Sequence, residues 1–334
     1  MAAKGPILIA SSSFDKFTHA PVRDRLERRG YPVCLYLTDK VLDGSEFLEI
    51  QVTELGELRM SYEGRPIGPE DIAAAWYWKV GGFRIANAEH NVAKQLSLVN
   101  EVSQWNTMIW SMYPDHLWMN APRKIGRAEG KLHQLVTAKT VGFSIPRTLA
   151  TSKWESVEHV LLSASETIVA KMLRGVIADN NELKVMYTTP LDWDDVARLR
   201  DTTFPFPGLY QPFIDKAREW RVTLVGDDVF PAAIYTTADA KDDWRAHQSE
   251  SAVKFRREAL PDEIQEMCRS YLQHMELRYG AFDLVEQPDG EIIFLECNPG
   301  GQHNWLEQEL GLPIADAIAS ELARIASANV EAVK

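Results

Sequence analysis

The chain has 334 residues, a net charge of −12, three cysteines and an apolar fraction of 45%. That length exceeds one ordinary core and predicts two or three packed subdomains. The negative charge argues against unassisted binding to a nucleic-acid backbone or an anionic bilayer, so any phosphate is handled locally. No apolar run has the length of a signal peptide or membrane span. Cys34, Cys268 and Cys297 show no CxxC or zinc spacing, which predicts buried thiols in a cytoplasmic protein.

In chain order, residues 7–10 (ILIA) read as a buried strand, 21–29 as a helix stopped at Gly30, and 33–37 as a second strand. This βαβ opening has neither GxGxxG nor GxxxxGK[ST], so it offers no dinucleotide or P-loop site. Residues 73–79 (AAAWYWK) are a further strand, with Trp76 and Trp78 on one face as core. Met119-Asn120-Ala121-Pro122 breaks the pattern and sets a boundary near 120. Beyond it, 131–141 reads as a helix closed by Gly142, 145–150 as a strand, and Ser152-x-x-Glu155 as a capping box opening a helix. Strands follow at 167–173 and 209–214, with a helix at 193–200 between them. Residues 220–225 and 229–235 form a hairpin around Gly226-Asp227-Asp228, and 261–277 has helical apolar spacing with Pro261 in its first turn.

The most informative segment is YGAFDLVEQPDGEIIFLECNPGG, 279–301. Two apolar runs flank Asp289-Gly290, a two-residue hairpin signal. If those residues form the turn, Pro288 faces Glu291, and counting outward places Asp283 opposite Glu296, with Asn298 on the same face. Opposed carboxylates beside Phe282, Leu284 and Leu295 are costly to bury without a cation. Either the pair faces solvent on a half-exposed sheet, or the three oxygen ligands hold a hard divalent cation such as Mg²⁺. The trio contains no His or Cys, which argues against zinc. Lys171 lies within the apolar run 168–173. It is either an edge-strand lysine reaching water or an ammonium with an anion partner such as phosphate.

The D…ECNPGG arrangement resembles the metal-binding end of ATP-grasp enzymes. The resemblance implies an α/β ATP-grasp fold: an N-terminal βαβ pre-ATP-grasp domain (1–119), a central subdomain (120–206) and a C-terminal subdomain carrying the metal site (207–334), the last two sandwiching ATP. It gives Lys131 and Lys171 as the nucleotide lysines and Asp283, Glu296 and Asn298 as Mg²⁺ ligands. GLYQPFIDKAREWRV resembles the adenine hinge, with Gln211, Pro212, Phe213 and Ile214 along the base edge. Pro212 has no N–H, so another residue of that segment must donate. The offset from the hinge matches Glu219 to the ribose acid, and Arg221 becomes a candidate for the transferred phosphate. Without the resemblance, Glu219 and Arg221 read as a cross-strand charge pattern on a solvated face.

Within the superfamily, the chain is most similar to the microviridin-type or graspetide maturases of ribosomal peptides. The likeness is carried by IADNNELKVMYTTP, EWRVTLVGDDVFPAAI, Asp243-Trp244-Arg245 and LECNPGGQHNW, across most of 120–325. It implies that Arg245 holds the acceptor carboxylate, that Asp243 orients Arg245, and that a precursor peptide with leader and acidic core is the partner in a homodimer. Two features depart from the pattern. The loop after Lys171 has a single glycine, and Pro-Gly-Gly-Gln-His stands where Pro-Asn-Gly-Gln-Trp is expected. The implied reaction activates a Glu or Asp side chain with ATP as an acyl phosphate, which a hydroxyl or amine of the same peptide attacks to give an ester or amide. The alternatives are a ligase for a small molecule or protein tail, similar to glutathione synthetases or glutamate-adding ligases, and a nucleotide-binding regulator without turnover.

Overall fold

The computed structural model describes residues 5–80, 92–161, 167–171, 176–179, 182–185, 189–191, 207–237 and 253–332. Strand β1 (Ile7–Ser11), helix α1 (Lys16–Arg28), β2 (Val33–Leu37), α2 (Thr38–Leu42), a meander of β3 (Leu48–Val52), β4 (Leu58–Tyr62) and β5 (Arg65–Pro66), and then β6 (Ala74–Tyr77) open the chain. The strands β2-β1-β6 form a parallel sheet in which Ile9 lies between Leu35 and Trp76. Helices and the meander cover it on both sides, which is why β1 is an unbroken apolar run. Helix α1 starts five residues before Pro21, against the sequence reading. The N–H that Pro21 lacks would have bonded the carbonyl of Phe17, in the solvent-exposed first turn, where water can serve that carbonyl instead.

Helices α3 (Val92–Ser111), α4 (Pro122–Ala128) and α5 (Lys131–Thr140) follow. Next come β7 (Leu149–Thr151), α6 (Trp154–Leu161), β8 (Ile168–Lys171), the hairpin β9 (Val176–Asp179) and β10 (Glu182–Val185), β11 (Thr189–Leu191) and β12 (Gly208–Pro212). An antiparallel sheet forms in the order β11-β8-β12-β7, with Ile168 and Tyr210 packed on Trp154 and Val157 of α6. The loop after Lys171, short of glycine, is thus built around the two-stranded β9–β10 ribbon. The expected helix at 193–200 lies outside the described residues.

The largest sheet is antiparallel, in the order β15-β14-β13-β16-β17. It comprises β13 (Arg218–Val225), β14 (Asp228–Thr236), β15 (Val253–Arg256), β16 (Tyr279–Glu286) and β17 (Ile292–Asn298), with helix α7 (Asp262–His274) between β15 and β16. Helices α8 (Asn304–Leu310) and α9 (Ile314–Ala332) end the chain. Trp220, Val222, Leu224, Phe282, Leu284 and Phe294 alternate onto one face and pack against α5 and α7. On the other face Val225, Ala232 and Tyr279 join the core that α9 shares with β1, β6 and α1. The N-terminal sheet and this five-stranded sheet, central in the molecule, are therefore welded through one apolar cluster, and beyond it the same face turns polar. All three cysteines are buried and unpaired, as expected. Among the described residues no helix is long and apolar enough to cross a membrane.

Candidate active site

The polar face carries a row of charges across three adjacent strands. Arg221 on β13 is in register with Asp283 on β16, and Asp283 with Glu296 on β17. The Arg221 guanidinium donates to Asp283 at 2.8 Å and to the Gln302 carbonyl at 3.3 Å. Burial works against its charge, but Asp283 outweighs that and raises the Arg221 pKa. Lys131, the first residue of α5, reaches Glu296 with an Nζ–Oε2 distance of 2.6 Å. Three adjacent strands and one helix start thus assemble a compact array of two cations and two carboxylates. Gly301 is required beside it, because a Cβ there would lie 2.6 Å from Arg221 Nη2 and 2.5 Å from the Ala281 Cβ.

The expected pairing of Asp283 with Glu296 is present, but by a different route. The loop has three residues, Pro288, Asp289 and Gly290, with Gln287 facing Glu291: the Gln287 N–H donates to the Glu291 carbonyl at 2.9 Å, and the Gly290 N–H to the Gln287 carbonyl at 3.0 Å. Gly290 has φ +89°, the left-handed residue that closes such a loop. This offsets the register by one, so Leu284 faces Phe294; a bulge at Leu295 then restores it at Asp283. Counting from a two-residue turn reaches the right pair because the longer loop and the bulge cancel. Asn298 follows two positions beyond Glu296, in register with Ala281, and its Oδ1 accepts from the Gly300 N–H at 3.1 Å. Among the described residues, no three His, Cys, Asp or Glu side chains cluster as a metal site. The set that exists is two carboxylates and an amide oxygen, which suits a Mg²⁺ ion that keeps water and phosphate oxygens in its other positions.

Lys171 is not on an edge: β8 lies between β11 and β12, which removes that alternative. It pairs with Leu209, and Val169 with Gln211, on the face of the sheet away from α6. The hinge segment leads from β12 straight into β13, joining the lysine sheet to the acid sheet. The Phe213 N–H is committed to the Thr167 carbonyl at 2.7 Å, and Gln211 donates its side-chain amide to Thr148 at 2.9 Å. Glu219 is in register with Val285 and Ile234 and accepts from Lys216 at 2.6 Å, a nearly buried pair. Asp243 and Arg245 lie outside the described residues.

Sequence reasoning missed two side chains that hold the array in place. Gln134, one turn after Lys131 and only 4% exposed, brackets the backbone of Cys297 between Glu296 and Asn298. Its Oε1 accepts from the Cys297 N–H at 3.0 Å and its Nε2 donates to the Cys297 carbonyl at 2.9 Å. Asn120 accepts from the Arg278 and Tyr279 N–H groups and donates to the Tyr279 and Pro299 carbonyls, clamping the start of β16 to the turn after β17. Nothing in a lone Gln or Asn signals such a role; it exists only once distant backbone groups are adjacent. His303, where the pattern leads one to expect Trp, is fully buried against Trp78 and Tyr279. Burial, with Arg221 and Arg25 nearby, pushes its pKa down to about 3.

A chain in which the sheet carrying Lys171 is joined directly to the sheet carrying Asp283 and Glu296 has the architecture of an ATP-grasp ligase. Solved structures bear this out over nearly the whole length. The RiPP-associated ATP-grasp ligase of Chryseobacterium gregarium, in complex with ADP and a leader and core peptide, superposes with a TM-score of 0.84 at 26% identity, covering 96% of this chain and 97% of that one. Macrocyclase MdnC of Microcystis aeruginosa MRC, bound with precursor peptide MdnA, gives a TM-score of 0.79 at 25% identity, covering 96% and 99%. At 18% identity the ATP-grasp ligase PsnB, complexed with a minimal precursor variant, Mg and ADP, shares the fold with a TM-score of 0.76, covering 97% and 99%. No protein-family model and no curated protein sequence matches the chain, so the likeness is carried by the structure.

Proposed function

We propose that this protein is an ATP-dependent ligase that cross-links a ribosomally made precursor peptide through its Asp or Glu side chains. The observation that carries the reading is the Arg221–Asp283–Glu296–Lys131 array, set in a fold matched end to end by ligases solved with precursor peptides. In the first step an acidic side chain attacks the γ-phosphorus of ATP. A carboxylate O–P bond forms as the β,γ-bridging P–O bond breaks, its electron pair leaving with ADP. A hydroxyl or amine of the same peptide then attacks the acyl carbon, phosphate departs, and an ester or amide remains. Each closure removes one water from the peptide. Such chemistry is mostly positioning and charge stabilisation, and it needs no covalent enzyme intermediate.

Lys171 and Lys131 would hold the phosphates, with Lys131 released from Glu296 when a cation takes that carboxylate. Arg221, fixed by Asp283, would face the phosphoryl group in transfer. Glu219, oriented by Lys216, would take the ribose hydroxyls. With Pro212 lacking an N–H and that of Phe213 committed, Ile214 is the hinge donor for the base. Asp283, Glu296 and Asn298 would hold Mg²⁺, which when bound neutralises charge on the β- and γ-phosphates. Arg245, oriented by Asp243, would hold the acceptor carboxylate. We extend the proposal to a cytoplasmic homodimer with the division 1–119, 120–206 and 207–334. The test is the intact mass of a candidate precursor from the adjacent reading frame, incubated with the enzyme and Mg-ATP. Loss of whole waters, absent without ATP, is expected; an unchanged mass with ADP released on adding small acids would instead mark a small-molecule ligase.

A further inference from the structure

The N-terminal sheet delivers one more cation to the cleft, which the reaction above leaves unused. Lys79 follows β6 at the carboxyl end of a parallel sheet, the edge at which open α/β sheets form ligand crevices. Its backbone is left-handed, with φ +54°. For a residue with a side chain that conformation costs about 1 kcal/mol, and it turns the chain abruptly at the strand end. The residue before it is held on every side. Trp78 is buried, donates its Nε1–H to Asp15, and packs edge-on against Tyr279 and His303 with ring centres 5.5 Å apart in each case.

From Asp15 the contacts lead to the phosphate-facing arginine. Gln302 Nε2 donates to Asp15 at 2.8 Å, Thr18 supports both Asp15 and Gln302, and the Gln302 carbonyl accepts from Arg221. Lys79 itself is solvent-exposed. Its ammonium is nonetheless hemmed in: burial lowers its pKa, Arg221 adds to the lowering, and Asp15 opposes it. The Lys79 Nζ lies over the Trp78 ring, 5.9 Å from its centre.

We infer that Lys79 binds the carboxylate of the acidic side chain that is to be phosphorylated, holding it from the N-terminal sheet while the other two sheets hold the nucleotide. This deepens the ligase reading and rests on it. Arg221 and Lys131 have partners of their own, Asp283 and Glu296, so Lys79 supplies the incoming carboxylate with a further counter-charge, beside the Arg245 proposed above, as it sheds its water. The point charge of a lysine can hold one carboxylate oxygen and leave the other free to attack phosphorus.

The test uses the full-length enzyme and mass-spectrometric quantification of lysine modification by an amine-reactive ester, with N-acetylglutamate α-amide as the carboxylate probe. Mg-AMPPNP alone is expected to leave Lys79 labelling unchanged, and adding the acid to suppress it by about tenfold, equivalent to about 1.4 kcal/mol. No protection by the acid, or full protection by Mg-AMPPNP alone, overturns the proposal. Lys79→Met should bind Mg-AMPPNP as the wild type does, and a loss of about tenfold would reassign Lys79 to the nucleotide. Water loss from the precursor is scored separately. Protection without water loss retires the peptide reading and keeps the subsite; water loss without protection does the reverse.

Discussion

The central and N-terminal sheets both border the site, and they present function in different ways. The central sheet is antiparallel, so alternation gives it one apolar face and one that carries Glu219, Arg221, Asp283 and Glu296. The N-terminal sheet is parallel and covered on both faces, so its polar groups are confined to strand ends: Ser12 to Asp15 after β1, Thr38 and Asp39 after β2, Lys79 after β6. The difference teaches where a sequence advertises chemistry. A half-polar strand shows its site as a period of two, whereas a strand-end site has no period at all.

Four variants sharpen that contrast, beginning with the central sheet. Glu296→Gln should lower kcat for Mg-ATP-dependent turnover by about 10³-fold, because a carboxylate that faces both Lys131 and the cation is lost. Normal turnover in a steady-state ADP-release assay would sink the metal assignment. Lys171→Met should cost about 10²-fold in kcat/KM for ATP and leave thermal stability intact, since a half-buried strand-end side chain adds little to the core. A variant that melts early but turns over normally would show that Lys171 is structural.

Gln134→Leu tests placement rather than contact. It leaves both backbone groups of Cys297 unbonded between Glu296 and Asn298, the proposed Mg²⁺ ligands, and a loss of about 10- to 100-fold in apparent Mg²⁺ affinity or activity is expected. A Mg²⁺ titration of turnover reads it: a shifted midpoint with kcat recovered at high Mg²⁺ supports positioning, and a uniformly lower kcat with the midpoint unchanged refutes it.

The smallest effect belongs to His303, at the seam between the two sheets. Its folded pKa is depressed from an ordinary 6.5 to about 3, so the native state binds fewer protons than the unfolded chain. The stabilisation it gives is complete above pH 6.5 and is lost as the pH falls from there towards 3. Between pH 7 and pH 5 this amounts to about 2 kcal/mol. Urea denaturation of wild type and His303→Gln should converge by that amount at pH 5, and parallel pH profiles would contradict it.

Legibility followed the same divide. Strands β1, β2, β13 and β14, helix α5 and the acid hairpin could be read from apolar runs, spacing and turn residues. Asp283 opposite Glu296 was reached by counting, although the three-residue loop and the Leu295 bulge lay hidden, because each alters register without altering hydrophobic pattern. Lys216, Gln134 and Asn120 were invisible, since each acts by meeting a group brought near only by folding.

By itself the sequence determined the strands and helix just named and the face on which the carboxylates fall, which follow from local periodicity and side-chain chemistry. Tertiary structure alone decided that Lys131 meets Glu296, that β8 is an inner strand, that His303 is buried beneath Trp78, and that Trp78, next to Lys79, is tied through Asp15 and Gln302 to Arg221. Those are encounters between segments tens to hundreds of residues apart. No local period encodes them, because they depend on the packing of one sheet against another.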